Sequence, residues 1–251
     1  MALAELLLPS APGTTVYEKN GTTIDASHAD QGYIMVRQTG LDKKLKLQIT
    51  KDGETLTYDL NAQGEFEVFP LQMGDGKYTV QVFSQVSGTR YATVSSHSFT
   101  ATVVDPLLPF LYPNQYVNYD ASTLAVAKAQ DLLGGLSTPR EKFQTAYDYV
   151  VSHTVYDYMR ALQASSGQLA GYLPDLDDVY TANKGICFDI AALLACMLRS
   201  QGVATRLVIG YANTSYHAWN EVWLDDQWVR CDATADICNM SAMQYTTQSV
   251  Y

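Results

Sequence analysis

The chain contains 251 residues, 47% of them hydrophobic and 17% charged, and it carries a formal net charge of −10 at pH 7. This composition is typical of a folded protein with a sizeable core, and it excludes an acidic disordered tail. The negative charge argues against nucleic acid and anionic membrane as partners, since both require a basic surface.

The N-terminal stretch MALAELLLPSAPG lacks the basic residues that open a signal peptide, and we expect it to be an irregular leader. No apolar run in the sequence approaches the roughly 18 residues of a membrane-spanning helix. We therefore expect no transmembrane segment.

Residues 14 to about 104 show the pattern of short antiparallel strands. Apolar and polar side chains alternate along most of these segments, which is the period of a sheet with one buried face. Asp52-Gly53 separates two of them and is a strong signal for a hairpin turn. We predict an immunoglobulin-like antiparallel β-sandwich as the domain of residues 1–104. The candidate strands cover residues 33–37, 45–49, 55–60, 65–68, 78–83 and 91–104.

A proline-rich segment, residues 105–114, follows the last predicted strand. Its sequence DPLLPFLYPN contains three prolines, which interrupt both helices and central strands. We interpret this segment as a linker, and we expect the second domain to cover residues 115–251.

The hydrophobic period becomes helical after the linker. Residues 124–133 predict one helix, which Gly134-Gly135 closes. Residues 139–153 predict a second helix, because Thr138 supplies a polar cap and Pro139 suits the first turn. We expect this helix to bury Phe143, Tyr147 and Val150, which are spaced by four and three residues.

A loop and an acidic cluster follow these helices. Residues 162–174 are small, polar and glycine-containing, which predicts a loop. Asp175, Asp177 and Asp178 precede a short helical segment. We interpret them as helix-capping residues rather than calcium ligands, because the regular spacing of a calcium-binding loop is absent.

The four cysteines all lie in about the last quarter of the chain. Cys187 opens a strongly apolar helix that is expected to end near Gly202. The partial positive charge of a helix N-terminus favours a thiolate, and the unpaired N–H groups of the first turn can stabilise an oxyanion. Cys196 lies half a turn away and is interpreted as a packing residue. A disulfide between Cys231 and Cys238 stays open from the sequence.

Three strands, residues 204–211, 216–224 and 227–232, are predicted after this helix, and a two-residue loop joins the last two. That loop length sets an aromatic residue opposite an aromatic one and an acid opposite a base, as cross-strand pairing favours. The expected pairs are Trp223–Trp228, Glu221–Arg230 and Trp219–Asp232, with Glu221 and Arg230 as charge partners.

The same register brings a histidine and a carboxylate together. His217 shares a face with Trp219 by the two-residue period, and Asp232 is its diagonal neighbour. A carboxylate beside an imidazole fixes its tautomer and stabilises the imidazolium. If the helix of Cys187 packs onto this sheet, these residues can act as nucleophile, base and orienting acid. Asn220 points to the opposite face, where we expect a structural role.

Two stretches of the chain resemble the transglutaminase-like superfamily. They are GICFDIAALLACMLRSQGVATRLVIGY, residues 185–211, and HAWNEVWLDDQWVRCDAT, residues 217–234. Both the Gly-x-Cys at the start of a helix and the His-x-Trp on a strand are features of that family. Ala233 departs from the pattern, since the family usually has proline after the acid. The resemblance extends over roughly residues 140–236.

The resemblance implies a papain-like core, with helices packed on an antiparallel sheet, and a triad formed by Cys187, His217 and Asp232. A protein of this kind is a cysteine peptidase or amidase that cleaves a peptide or amide bond through a thioester. Eukaryotic transglutaminases also carry an upstream tryptophan that stabilises the oxyanion. Here Tyr156 lies upstream and no tryptophan does, which favours hydrolysis over cross-linking. Tyr156 and Trp219 are candidate oxyanion or substrate residues.

Three functional interpretations stay open from the sequence: a hydrolase, a transamidase that cross-links proteins, and a catalytically silent cell-surface binding module. The expected partner is a protein or peptide substrate, including one associated with a cell wall. No CxxC or HxxxH spacing is present, so neither a metal nor another cofactor is expected. The low lysine content and the many Tyr, Thr and Ser residues favour a secreted or cell-envelope location, with a cytoplasmic one as the alternative.

Overall fold

The structure, a computed structural model, describes residues 5–251, and the chain divides into two compact units. The N-terminal unit is Pro9–Pro109, and the C-terminal unit consists of residues 5–8 together with Phe110–Tyr251. Part of the predicted leader, residues 1–4, lies outside the described residues. Residues 5–15 contain no helix or strand.

The N-terminal unit consists of two four-stranded antiparallel sheets. Its strands are β1 (Val16–Lys19), β2 (Thr22–Asp25), β3 (Tyr33–Gln38), β4 (Leu45–Lys51), β5 (Glu54–Leu60), β6 (Glu67–Pro70), β7 (Gly76–Ser87) and β8 (Arg90–Ala101). The strand order is β1-β2-β3-β6 in one sheet and β5-β4-β7-β8 in the other.

These two sheets bury their inner faces against each other. Tyr58 of β5 meets Phe69 of β6 edge to face, with ring centroids 5.2 Å apart. The Ser95 hydroxyl of β8 donates to the Thr22 hydroxyl of β2 at 2.7 Å. The predicted β-sandwich is therefore confirmed. Strands β1 and β2 were not among the predicted strands. In β2 every residue is buried, and its sequence shows no apolar–polar alternation.

The C-terminal unit packs helices against an antiparallel sheet of four strands. In chain order its elements are α1 (Leu124–Leu133), α2 (Pro139–His153), β9 (Val155–Tyr156), α3 (Tyr158–Ser165), α4 (Leu176–Ala182), β10 (Lys184–Gly185), α5 (Cys187–Arg199), β11 (Thr205–Ala212), β12 (Ser215–Leu224), β13 (Gln227–Cys231), α6 (Ala233–Ile237) and β14 (Tyr245–Val250). The sheet order is β13-β12-β11-β14, and β9 pairs with β10 in parallel. The α+β class predicted from the sequence is confirmed.

The apolar helix α5 forms the centre of this unit. Every residue from Asp189 to Arg199 is buried. Helices α1, α2 and α4 pack against α5, which also contacts β11 and β12. Among the residues that the structure describes, no helix is long and apolar enough to cross a membrane.

Helices α1 and α2 begin and end where the sequence predicts. A capping box fixes the start of α2, since the Thr138 hydroxyl accepts from the Glu141 N–H at 3.2 Å and the Glu141 carboxylate accepts from the Thr138 N–H at 3.0 Å. The predicted core face of α2 is only partly right. Val150 is buried, whereas Phe143 and Tyr147 are half-buried.

Parts of two segments that were predicted to be irregular belong to the C-terminal unit. Residues 162–165 of the predicted loop are the last part of α3, which Asp157 caps by accepting from the Arg160 N–H at 3.0 Å. Residues 110–114 of the predicted linker belong to the C-terminal unit. The buried Arg199 side chain donates to the Tyr112 carbonyl at 2.9 Å and so holds this segment against α5.

Candidate active site

The predicted hairpin register between β12 and β13 is confirmed. Trp223 pairs with Trp228, and Glu221 pairs with Arg230. The joining residues Asp225 and Asp226 have φ values of 51° and 61°, which is the left-handed geometry of a type I′ turn. The register of β12 and β13 then determines where the residues after Cys231 lie.

His217 and Asp232 meet at the end of this hairpin. The His217 Nε2 atom lies 2.7 Å from the Asp232 Oδ2 atom, and both side chains are largely buried. The second carboxylate oxygen of Asp232 caps α6, accepting from the Ala235 N–H at 3.0 Å. The Tyr245 hydroxyl of β14 donates to Oδ2 at 2.8 Å. Asp232 is thus held by contacts from three elements.

These contacts determine the charge of Asp232. Burial alone raises the pKa of a carboxyl group. Here the hydrogen bond and the charge of His217 outweigh burial, and the N–H of Ala235 and the hydroxyl of Tyr245 add to their effect, so that the pKa of Asp232 lies below its ordinary value. Asp232 is therefore a carboxylate at neutral pH.

The imidazole of His217 connects this carboxylate to a thiol. Burial lowers the pKa of His217, but hydrogen bonds to Asp232 and Cys187, together with the charges of both, raise it to about 9. Because Nε2 contacts Asp232, Nδ1 is the ring nitrogen left for the Cys187 thiol. An imidazole of this kind is charged at neutral pH and suits an ion pair with a thiolate.

The local fold brings Cys187 to this position. Cys187 is the first residue of α5, and its side chain is half-buried. Gly185 of β10 pairs with Tyr156 of β9 just before it. A Cβ atom on Gly185 would lie 2.5 Å from the Asp189 Cβ atom, so that only glycine fits this approach.

The two candidate oxyanion or substrate residues occupy different environments. Tyr156 is half-buried, and its pKa is raised first by burial and then by the charge of the nearby Cys187. Tyr156 therefore keeps its proton. Trp219 is only 1% exposed, and its ring centroid lies 6.2 Å from that of His217 and 5.0 Å from that of Tyr245. The buried Trp219 ring can therefore support the His217 imidazole by packing beside it, and little of its surface is left for substrate contact.

Each of the four cysteines, all within the described residues, is a free thiol. Cys196 is fully buried, as expected of a packing residue, and burial raises the pKa of its thiol. Cys231 and Cys238, whose pairing the sequence left open, do not form a disulfide in this structure.

One predicted charge pair is wrong. Glu221 forms its ion pair with Arg206 of β11 at 3.2 Å, because Arg206 is its register partner on the other neighbouring strand. The guanidinium of Arg230 instead lies 4.2 Å from the ring centroid of Tyr245. Tyr245 itself was not a candidate from the sequence, because β14 has no apolar period and none of its residues is fully buried.

The structural role expected for Asn220 and the helix-capping role expected for Asp175 are confirmed. The Asn220 amide donates to the carbonyl of Ala191 in α5 at 3.0 Å. Asp175 caps α4 by accepting from the N–H groups of Asp177 and Asp178 at 3.1 Å and 3.0 Å.

The family comparison agrees with this geometry. Residues 126–233 match the family model described as the transglutaminase-like superfamily. The matched range contains Cys187, His217 and Asp232. This part of the chain is a transglutaminase-like core, as the resemblance of the sequence implies. No curated protein sequence matches the chain significantly.

Several solved structures are similar to the chain at low sequence identity. A candidate cysteine protease from Cytophaga hutchinsonii is 17% identical with a TM-score of 0.42, and the match covers 87% of this chain and 91% of that one. The periplasmic domain of TgpA from Pseudomonas aeruginosa is 16% identical with a TM-score of 0.40, and the match covers 90% and 98% of the two chains. Red sea bream transglutaminase is 14% identical with a TM-score of 0.29, and the match covers 80% and 48%.

Proposed function

We propose that the protein is a cysteine-dependent hydrolase of peptide or amide bonds, with Cys187, His217 and Asp232 as its triad. The observation that carries the proposal is the continuous contact from the Asp232 carboxylate through the His217 imidazole to the Cys187 thiol. We also propose that its substrate is a protein or peptide met outside the cell or in the cell envelope, as the composition of the chain favours.

In the first half of the reaction, the Cys187 thiolate attacks the carbonyl carbon of the scissile bond and forms a new C–S bond. The carbonyl electrons move to oxygen and give a tetrahedral oxyanion. When they return, the C–N bond breaks, and the His217 imidazolium gives its proton to the leaving amine. Asp232 keeps the imidazole oriented through the 2.7 Å contact at Nε2. The product of this half is a thioester on Cys187.

The oxyanion can be stabilised from two directions. The N–H groups of Cys187 and Phe188 lie in the first turn of α5, where no carbonyl of the helix can accept them. The Tyr156 phenol lies near the thiol and retains its proton, so that it can donate a further hydrogen bond. Tyr156 is proposed as this donor.

In the second half, neutral His217 takes a proton from water, and the resulting hydroxide attacks the thioester carbonyl. The C–S bond breaks, the acid product leaves, and Cys187 is restored with the proton held by His217. If a primary amine attacks in place of water, the product is a new amide, and the protein is a transamidase.

The test compares the Cys187 thiol with the Cys238 thiol in the wild-type protein. At pH 7, below the ordinary thiol pKa of about 8.5, iodoacetamide should label Cys187 at least about tenfold faster than Cys238, because an imidazolium and a helix N-terminus favour the thiolate. Cleavage of a peptide library should disappear in Cys187→Ala and persist in the matched control Cys238→Ala. Asp232→Ala should slow both labelling and cleavage, the latter by on the order of a thousandfold.

Product masses decide between the remaining functions. Hydrolysis adds water to the new carboxyl terminus, whereas transamidation adds the mass of a supplied amine. Peptide binding that is equal in wild type and Cys187→Ala, without turnover, would establish a silent binding module. Equal labelling of Cys187 and Cys238, with unchanged cleavage in Cys187→Ala, would refute the proposed hydrolase.

A further inference from the structure

A segment of chain lies directly beside the first turn of the nucleophile helix. We define residues 158–174, which comprise α3 and the turns after it, as the arm. Just before the arm, the Asp157 N–H donates to the Gly185 carbonyl at 2.9 Å. The arm therefore starts next to a residue that precedes Cys187 by two positions in the sequence.

A single buried carboxylate holds this arm. Asp189, at the third position of α5, is 0% exposed. Its Oδ2 atom accepts from the Ile186 N–H at 2.9 Å and from Arg160 at 3.3 Å, and its Oδ1 atom accepts from the Tyr172 hydroxyl at 2.6 Å. Arg160 also donates to the Tyr172 hydroxyl at 3.0 Å, which closes the cluster. Because Arg160 and Tyr172 lie near opposite ends of the arm, Asp189 fixes both ends to α5.

Because Asp189 is buried, the stability of this cluster depends on every one of its members. A carboxylate without solvent is stable only when charged and polar groups surround it, and removing a partner leaves an uncompensated charge. Both of its side-chain partners come from the arm. Release of the arm would therefore leave Asp189 with the Ile186 N–H as its remaining partner in the cluster, so that the docked position is strongly favoured.

The arm presents an apolar surface outward. Tyr158, Met159 and Leu162 of α3 are 70%, 68% and 63% exposed. Leu162 is four residues after Tyr158 and three after Met159, a spacing that places the three side chains on one side of the helix. A helix on a protein surface normally turns its apolar stripe inward, and an exposed apolar group beside a reactive centre indicates a binding surface.

We propose that Asp189 is a positioning residue that clamps the arm beside Cys187, and that the exposed apolar face of α3 binds an apolar side chain of the peptide substrate. This inference rests on the proposed hydrolase function and names its substrate class. The preferred substrates are peptides with an apolar residue next to the scissile bond.

The clamp is tested by hydrogen exchange on the full chain. Asp189→Asn keeps the side-chain shape and removes the charge, and Tyr172→Phe removes only the hydroxyl. Amide exchange over residues 158–174 should become about tenfold faster in both variants, because each loses a charge-assisted hydrogen bond of the cluster. The matched control is Asp178→Asn, which removes an exposed partner of the same Arg160 at 3.3 Å and should change exchange less than about twofold. Unchanged exchange in Asp189→Asn and Tyr172→Phe would overturn the clamp.

Substrate binding is tested with the best peptide from the cleavage library. Asp189→Asn and the double variant Met159→Ser/Leu162→Ser should raise KM by about tenfold and change kcat by less than about threefold, since they alter substrate binding and not the triad. The double variant should also lose the preference for apolar residues. A fall in kcat with unchanged KM, or an undiminished apolar preference, would overturn the proposed role of the arm.

The two proposals fail in different ways. If Cys187→Ala cleaves like the wild type, the hydrolase proposal and the substrate role of the arm both fail. Hydrogen exchange over residues 158–174 then still tests whether Asp189 holds the arm against α5. If wild type depends on Cys187 but exchange over residues 158–174 is insensitive to Asp189→Asn, the clamp alone fails. Iodoacetamide labelling of Cys187 should stay within about twofold of wild type in Tyr172→Phe and in Met159→Ser/Leu162→Ser, because these variants leave α5, His217 and Asp232 unchanged.

Discussion

His217 illustrates how two neighbours can reverse the effect of burial on the pKa of one residue. An imidazole removed from solvent loses basicity, yet its pKa lies at about 9 because Asp232 and Cys187 both favour the protonated form. The ordinary value is about 6.5. The protonated state therefore stabilises the folded protein: the contribution is fully present below about pH 6.5 and is lost as pH rises through about 9.

Asp232→Asn should lower the pKa of His217 towards or below 6.5, because Cys187 alone then opposes the effect of burial, which lowers the pKa. An NMR titration of the His217 ring measures this directly. In wild type, protonation of His217 should stabilise the fold by roughly 3 kcal/mol more at pH 6 than at pH 9.5. The Asp232→Asn variant should lose most of this difference.

The matched control is Asp236→Asn, in the next turn of the chain. Asp236 is exposed and accepts from the Tyr147 hydroxyl at 2.8 Å rather than from His217. Its substitution should leave the His217 titration where it is in wild type. If Asp232→Asn shows the same titration as this control, the carboxylate does not set the charge of His217.

The sequence contains enough information to place some of these residues and not others. The pairing of His217 with Asp232 follows from a two-residue turn and strand alternation, which are local rules. Tyr245 and Asp189 could not be found in this way. Tyr245 reaches Asp232 only because β14 returns to the far edge of the sheet, and Asp189 gains its role from Arg160 and Tyr172, which lie distant in the sequence.

Among the elements, those with strong local signals were predicted best. Helix α2 has a proline at its start and a capping box, and the β12–β13 hairpin has paired aromatic residues. The short helix α6 and strand β14 lack such signals, since their boundaries depend on the cap formed by Asp232 and on pairing with β11. The boundaries of these elements depend on tertiary contacts, which leave no periodic pattern in the sequence from which to predict them.

The pairing of β14 with β11 depends on one glycine. The register shifts between Ile209 and Gly210, and a Cβ atom on Gly210 would lie 2.1 Å from the Thr246 carbonyl oxygen and 3.0 Å from the Trp219 ring. A side chain there must separate the strands, because a backbone atom cannot rotate away. The separation would also draw Tyr245 away from Asp232.

Gly210→Ala should lower the free energy of unfolding by about 2 kcal/mol, as overpacking does elsewhere, and should slow cleavage by weakening the Tyr245–Asp232 contact. Denaturant unfolding and library cleavage measure the two effects. The control Gly135→Ala adds the same methyl group where no heavy atom lies within 4 Å, and it should change stability by less than about 0.5 kcal/mol. Equal stability of the two variants would contradict the steric argument.

At the scale of the molecule, the two units differ in the contacts that hold their segments together. Each sheet of the N-terminal unit joins strands that are mostly close in sequence, and side-chain contacts then join the sheets. The C-terminal unit depends on a buried guanidinium. Arg199 donates to the carbonyls of Thr205, Tyr112 and Tyr251 at 2.8, 2.9 and 2.8 Å. These three segments are separated by up to 139 positions, from 112 to 251, and one side chain donates to a carbonyl group in each of them.

Arg199→Met should therefore destabilise the C-terminal unit strongly. Methionine fills a similar length, but it removes one donor from each of three buried carbonyl oxygens, at a total cost of about 3 kcal/mol. Of the three, the Tyr251 carbonyl still accepts from the Leu207 N–H at 2.7 Å. The matched control is Arg140→Met, which removes an exposed ion pair with Asp225 and should cost less than about 1 kcal/mol. Denaturant unfolding of the full chain, followed by the fluorescence of Trp219, Trp223 and Trp228, reports on this unit because every tryptophan of the sequence lies in it. If the two variants unfold at the same denaturant concentration, Arg199 does not hold these segments together.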